Sequence, residues 1–369
     1  MTMGTLYLAS SVLSLFFIAI LAGKKKKSVS DLLLLAWFVV LFSNVFIFYL
    51  IQVDAAPPWL IEFLNNSVFL HGPLLYLYTS TLTGIKVKLK SRDILHAIPF
   101  AFLYLLTLWF SLIQQIYPDS FYNGLIFLKF ISILVYIILS MKVIGQHRNR
   151  IQNLYSSMHQ MELKWLSSIL WGGIFLMVVG ITSLMLHYFT RVEIPQYGGL
   201  YLNILYSLSI IVLGYFGFRQ TAIFVPVHFQ ADQQNKLRVP SKPGSTKYQK
   251  TSLDENAVRK AYQELLSHIE AEQPYIDPNL TLFKLADQLK TTENKLSQVI
   301  NSQSGYNFFE FVNKYRVAMV IDKMSSQEHR ASTLLGLALD SGFNSKASFN
   351  RSFKKFTGRT PSEYSNSIK

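Results

Sequence analysis

The sequence predicts an all-α protein in two parts, a seven-helix transmembrane bundle followed by a soluble helical domain. Three observations carry this. Half of the 369 residues are hydrophobic and only 15% are charged, which argues against a single water-soluble globule. Up to position 218 the apolar residues come in runs of roughly 20, the length that crosses about 30 Å of hydrocarbon at 1.5 Å per residue. Beyond position 250 they recur instead at three- and four-residue intervals between capping and turn residues, the pattern of amphipathic helices.

The seven candidate spans are 4–23, 32–52, 64–84, 94–115, 122–145, 165–188 and 197–218. Pro73 falls inside the third and would kink it or mark its start, and Gly198 with Gly199 borders the seventh. Loop charge orients the bundle. Lys24 to Lys27 lie in one loop, Lys86, Lys88, Lys90 and Arg92 in another, and Lys142, Arg148, Arg150 and Lys164 in a third, whereas the alternate loops carry only Arg191. The excess of positive charge places those three loops in the cytoplasm, the N-terminus outside and the C-terminus inside, as expected of a multi-pass protein of the inner membrane. Four lysines follow the first apolar run and none precedes it, the reverse of a cleaved signal peptide, so this run is expected to be a retained helix.

Polar residues within the spans mark candidate positions in the bundle interior. A charge such as Lys129 costs about 2 to 3 kcal/mol inside a span on insertion scales. It is therefore expected either to face the bundle, as a ligand or ion-pair group, or to snorkel to the outer surface. His71, Asn44 and Asn203 would line the same cavity or form interhelical hydrogen bonds. Acidic residues lie near loops, which leaves no intramembrane carboxylate relay for proton-coupled transport. The hydrolase, metalloprotease, nucleotide-binding and kinase signatures are missing, so no enzymatic activity and no cofactor are expected. Cysteine is absent, which excludes disulfides and thiolate metal sites; no metal is expected.

Residues 219–250, rich in Pro, Gln, Lys and Ser, read as a linker. The soluble domain is expected over 251–369. Ser252 and Glu255 form a capping box that opens a helix running to about Glu272. A first pair of helices over about 279–303 buries Leu282, Leu285, Ala286 and Leu289, then Leu296, Val299 and Ile300, and turns Asn294, Lys295, Gln298 and Asn301 outward. Gly305 closes it. Asn307 and Glu310 cap a long helix over about 307–325, with Phe308, Phe311, Val312, Tyr315, Ala318 and Met319 on its inner face. A second pair over about 333–357 buries Phe349, Phe353 and Phe356 at i, i+4 and i+7 and points Ala347, Asn350, Arg351 and Lys354 away. The last 28 residues hold six basic residues and one acidic residue, rich enough to suggest phosphate contact.

These residues resemble the DNA-binding domain of AraC-type transcription regulators over about 270–366. The motifs that carry the resemblance are LxxLAxxL, KLSQVIN, FVNKYRVAMVIDKM and GFNSKASFNRSFKKFTGRTPSEY, in that order and spacing. The resemblance implies two helix-turn-helix units joined by the long helix, with their recognition helices in successive segments of the major groove. By position it assigns Asn294, Lys295, Ser297 and Gln298 to the first recognition helix and Lys346, Ala347, Asn350 and Arg351 to the second. Two departures stand out. Gln298 occupies a place where arginine is frequent, which favours adenine over guanine. Gly336, with Ser341, replaces larger residues and is expected to soften its helix by about 1 kcal/mol relative to Ala.

The stretch His71 to Gly84 with HAIPF at 96–100 resembles the multi-span sensor half of membrane-bound regulators of the same family. Together the resemblances imply a one-component regulator whose partners are double-stranded DNA, the lipid bilayer, an unidentified signal molecule or membrane partner, and a second copy of the chain in a homodimer. The alternative is a transporter or membrane receptor that carries the same module for autoregulation or protein interaction.

Overall fold

The computed structural model describes residues 3–113, 119–157, 163–190, 197–221, 255–325 and 332–368. Among them every regular element is helical, and the chain divides into two compact units, Met1–Gly145 with Lys164–Arg238, and Gln146–Leu163 with Val239–Lys369. The stretch expected to be a linker falls almost entirely outside the described residues, as does Ser252.

The first unit contains α1 (Met3–Gly23), α2 (Val29–Gln52), α3 (Pro58–Asn66), α4 (His71–Leu82), α5 (Ile98–Leu112), most of α6 (Asp119–Leu154), α7 (Lys164–Thr190) and α8 (Tyr197–Thr221). Here α1 packs on α2 and α8, α2 also on α4, and α3 on α5. Ser28 caps α2 in a reciprocal box with Asp31, whose carboxylate also pairs with Lys24 at 2.8 Å. Five stretches are long and apolar enough to cross a membrane: Gly4–Gly23, Val29–Gln52, Ser91–Phe110, Gly124–Leu154 and Lys164–Thr182.

The third expected span is interrupted. Around 64–84 the helix is broken, because α3 stops at Asn66, a 3₁₀ turn occupies Ser67–Leu70, and α4 begins at His71. Pro73 then sits in the first turn of α4, where a missing N–H removes no helical hydrogen bond. The seventh expected span falls within α8, a helix of 25 residues.

The second unit continues with α9 (Glu255–Glu272), α10 (Leu282–Gln288), α11 (Glu293–Ser304), α12 (Phe308–Ser325), α13 (Leu334–Leu339), α14 (Lys346–Thr357) and α15 (Pro361–Ser367). One helix serves two cores. Phe308, Phe311 and Val312 at the start of α12 pack with Leu265, Ile269, Leu285, Leu296 and Ile300, whereas Val317, Val320 and Met324 further along pack with Leu337, Phe343, Phe349 and Phe353. The buried face therefore changes side midway. For that reason the single inward stripe expected for this helix fails at Ala318, which is exposed, while Tyr315 and Met319 are partly buried.

Candidate nucleic-acid interface

Each reading head is built by short polar caps and an apolar stripe. In the first, Thr281 and Thr292 cap α10 and α11 by accepting from the N–H groups of Lys284 and Lys295 at 3.2 and 3.3 Å. Leu296, Val299 and Ile300 anchor α11. The helical period then leaves Asn294, Lys295 and Asn301 exposed and Ser297 and Gln298 partly buried. Asn301 donates to the Ser297 hydroxyl at 3.4 Å, and Gly305 closes the helix with φ 72°.

The second head follows the same plan with more charge. Thr333 caps α13 through the Gly336 N–H at 3.0 Å, so Gly336 stands in the capped first turn rather than mid-helix. A methyl group there would press on the Thr333 hydroxyl at 3.3 Å. Ser341 is fully buried and donates to the Leu337 carbonyl at 2.7 Å. Ser345 caps α14, Phe349 and Phe353 hold it to the core, and Lys346, Ala347, Asn350, Arg351 and Lys354 are all exposed. Lys355 pairs with Glu310 of α12. Near them Arg148 and Gln152, on the part of α6 that belongs to this unit, line a cavity of about 160 Å³ with Glu310, Arg351 and Lys355.

Between the heads lies a buried arginine that the sequence reading missed. Arg316, 1% exposed, uses all five of its N–H donors. Nε donates to the Tyr275 carbonyl at 2.7 Å, one terminal nitrogen to the Ser156 carbonyl at 3.0 Å and the Asn313 side-chain oxygen at 3.3 Å, and the other to the Ser156 hydroxyl at 3.0 Å and the Asp277 carbonyl at 2.8 Å. Burial pushes the guanidinium down to about 10, against the pull of Asp277, so it stays charged at neutral pH. A motif search has no means of finding this group, because Ser156 is 160 residues away in sequence.

Three candidate residues of the first unit are each engaged by a separate hydrogen bond. Trp37 donates its indole N–H to His71 at 3.0 Å, Asn44 donates to the Ser67 hydroxyl at 3.0 Å, and Lys129 donates to Asn65 at 2.7 Å. These three bonds have no residue in common. The Asn203 side chain lies outside the described residues. Among the described residues there is no cluster of His, Asp and Glu able to hold a metal ion.

Residues 285–367 match the family described as "Helix-turn-helix domain". Over 87 residues the chain is 34% identical to an uncharacterized HTH-type transcriptional regulator of Staphylococcus aureus strain COL, covering 23% of this chain and 11% of that protein. Counterparts in strains N315 and MRSA252 match with the same identity and coverage. The match thus spans 11% of the length of these relatives. A solved protein of unknown function from Listeria innocua is 27% identical and covers 29% of this chain and 96% of its own, with a TM-score of 0.26. The segment 285–367 is thus similar to helix-turn-helix domains, and the relatives it matches are described as HTH-type transcriptional regulators.

Proposed function

We propose that the chain is a membrane-embedded, one-component transcription regulator that reads DNA with both helix-turn-helix units under control of its apolar half. One observation carries the reading: two capped recognition helices with exposed polar and basic faces share one linking helix, in the same chain as five helices of membrane-crossing length. On this reading α3–α4 and α8 supply the third and seventh crossings, and the basic loops hold the C-terminal domain in the cytoplasm. Asn294, Lys295, Ser297, Gln298 and Asn301 serve the first groove segment, and Lys346, Ala347, Asn350, Arg351 and Lys354 the second. Two copies tethered in one bilayer raise each other's effective concentration, so a packing change of about 1.4 kcal/mol alters occupancy tenfold.

The test is a selection from random duplex DNA with the full chain in lipid nanodiscs. Enrichment of a bipartite site, lost in Arg351→Ala with Lys295→Ala, is the expected result. Failure to enrich any sequence would end the regulator reading.

A further inference from the structure

The segment that runs from the end of α6 to Ser157 is seated in the DNA-binding unit. α6 is one continuous helix from Asp119 to Leu154, and from Gln146 onward its residues belong to the second unit. Ile151, 4% exposed, packs on Phe309 with Tyr155 beside them, and Leu154 lies against the first head's core. Tyr155 then pairs with Thr281 as an antiparallel bridge. Ser156 is fully buried; its N–H and hydroxyl both donate to the Leu280 carbonyl, at 3.2 and 2.7 Å. Its carbonyl accepts from Arg316 at 3.0 Å and from Asn313 at 3.1 Å.

What this segment grips is the joint between the two heads. Asn313 and Arg316 occupy the part of α12 where the buried face changes from the first core to the second. Arg316 holds the Tyr275 and Asp277 carbonyls on the side of the first head, and its guanidinium lies 5.9 Å from the centre of the Phe343 ring of the second. Gly342, with φ 90°, lets the second head approach so closely that an added methyl would collide with the Tyr275 carbonyl. Withdrawal of Ser156 would strip Arg316 of two of its five hydrogen bonds, which is costly for a buried charged donor. With the segment seated, the exposed faces of α11 and α14 stay open. Seating therefore braces the heads and does not block them.

We infer that Ile151–Ser156, the direct continuation of an apolar helix, is the lever through which the membrane half sets the relative geometry of the two reading heads. Docked, it fixes the joint and favours a bipartite site. Withdrawn, it leaves two heads that bind separately. The inference rests on the regulator reading.

The absence of cysteine makes the test clean. Residues paired across an antiparallel bridge have Cα atoms about 4.5 to 5.5 Å apart, within reach of a disulfide. The full chain in nanodiscs is compared with Ser156→Gly, and with Ser156→Gly carrying Tyr155→Cys and Thr281→Cys, on a bipartite duplex and on a half-site duplex. Ser156→Gly is expected to bind the bipartite duplex about tenfold more weakly and the half-site unchanged, and oxidation of the triple variant is expected to restore bipartite affinity reversibly. Equal bipartite affinity in Ser156→Gly overturns the lever, and so does a failure of the cysteines to cross-link in DNA-binding protein. Should both affinities fall together, oxidation without rescue also overturns it. Absence of binding by the unsubstituted chain to either duplex overturns the regulator reading itself, a different outcome from any of these.

Discussion

The two helix-turn-helix units share a linking helix yet are built for different work. The first is backed by α9 and by the Arg316 joint, and its recognition helix presents Asn294, Gln298 and Asn301 with a single lysine. The second rests on a six-residue α13 and presents Lys346, Arg351 and Lys354, with Arg359 just beyond. Neutral amides pair with base edges, and cations contact phosphates or, for arginine, guanine. We propose that sequence reading falls chiefly to the first head and electrostatic anchoring chiefly to the second, whose one exposed amide is Asn350.

The largest effect should come from breaking one head's core. Phe353 is fully buried, and Phe353→Ala is expected to cost about 3 to 5 kcal/mol. Hydrogen exchange on the full chain should then show protection lost in α13 and α14 and kept in α10 and α11. Simultaneous loss in both heads would mean that α12 transmits the damage and that the heads are not separate units. Next comes charge. Removing Arg351 and Lys354 together should weaken binding to all duplexes alike and reduce the slope of log affinity against log salt by about 2, one per phosphate contact; a change confined to one base position would reverse the assignment.

Gln298 tests the other side of the comparison. Gln298→Ala should relax preference at one base pair by about 1 to 3 kcal/mol, and Gln298→Arg should move it from adenine toward guanine. A uniform loss over all sequences would make Gln298 a backbone contact. Smaller again is the cap: Thr292→Ala is expected to lower the stability of α11 by about 1 kcal/mol in thermal unfolding. The smallest effect concerns acid. Burial lifts the Asp277 carboxyl, but hydrogen bonds from Lys284 and Asn279 and the charge of Arg316 more than offset this and hold it below its ordinary 3.8. Its contribution is therefore present above that value and fades as pH falls through the lower, folded one, a loss that Asp277→Asn should remove from an acid titration.

Much of the DNA-binding half was legible because its signals are local. Asn307 caps its helix through the Glu310 N–H, Gly305 ends another, and Leu296, Val299 and Ile300, like Phe349 with Phe353, recur at the helical period and are buried. What stayed hidden was long-range or two-sided. Arg316 looks like any surface cation in sequence, since the carbonyls that justify its burial come from Ser156, Tyr275 and Asp277. The α12 stripe misled because a helix shared by two cores has two buried faces. Hydropathy marked 64–84 as one apolar run; only Pro73 signalled the start of a helix there, and the 3₁₀ turn before His71 left no mark of its own.

On the proposed reading both heads act together from a membrane-bound chain, which footprinting of the full chain in nanodiscs on its selected duplex can check. Two protected major-groove segments are expected on one face of the duplex, about 10 base pairs apart, with the second lost in Arg351→Ala. Protection of one segment only, or protection indifferent to Arg351, would contradict that reading.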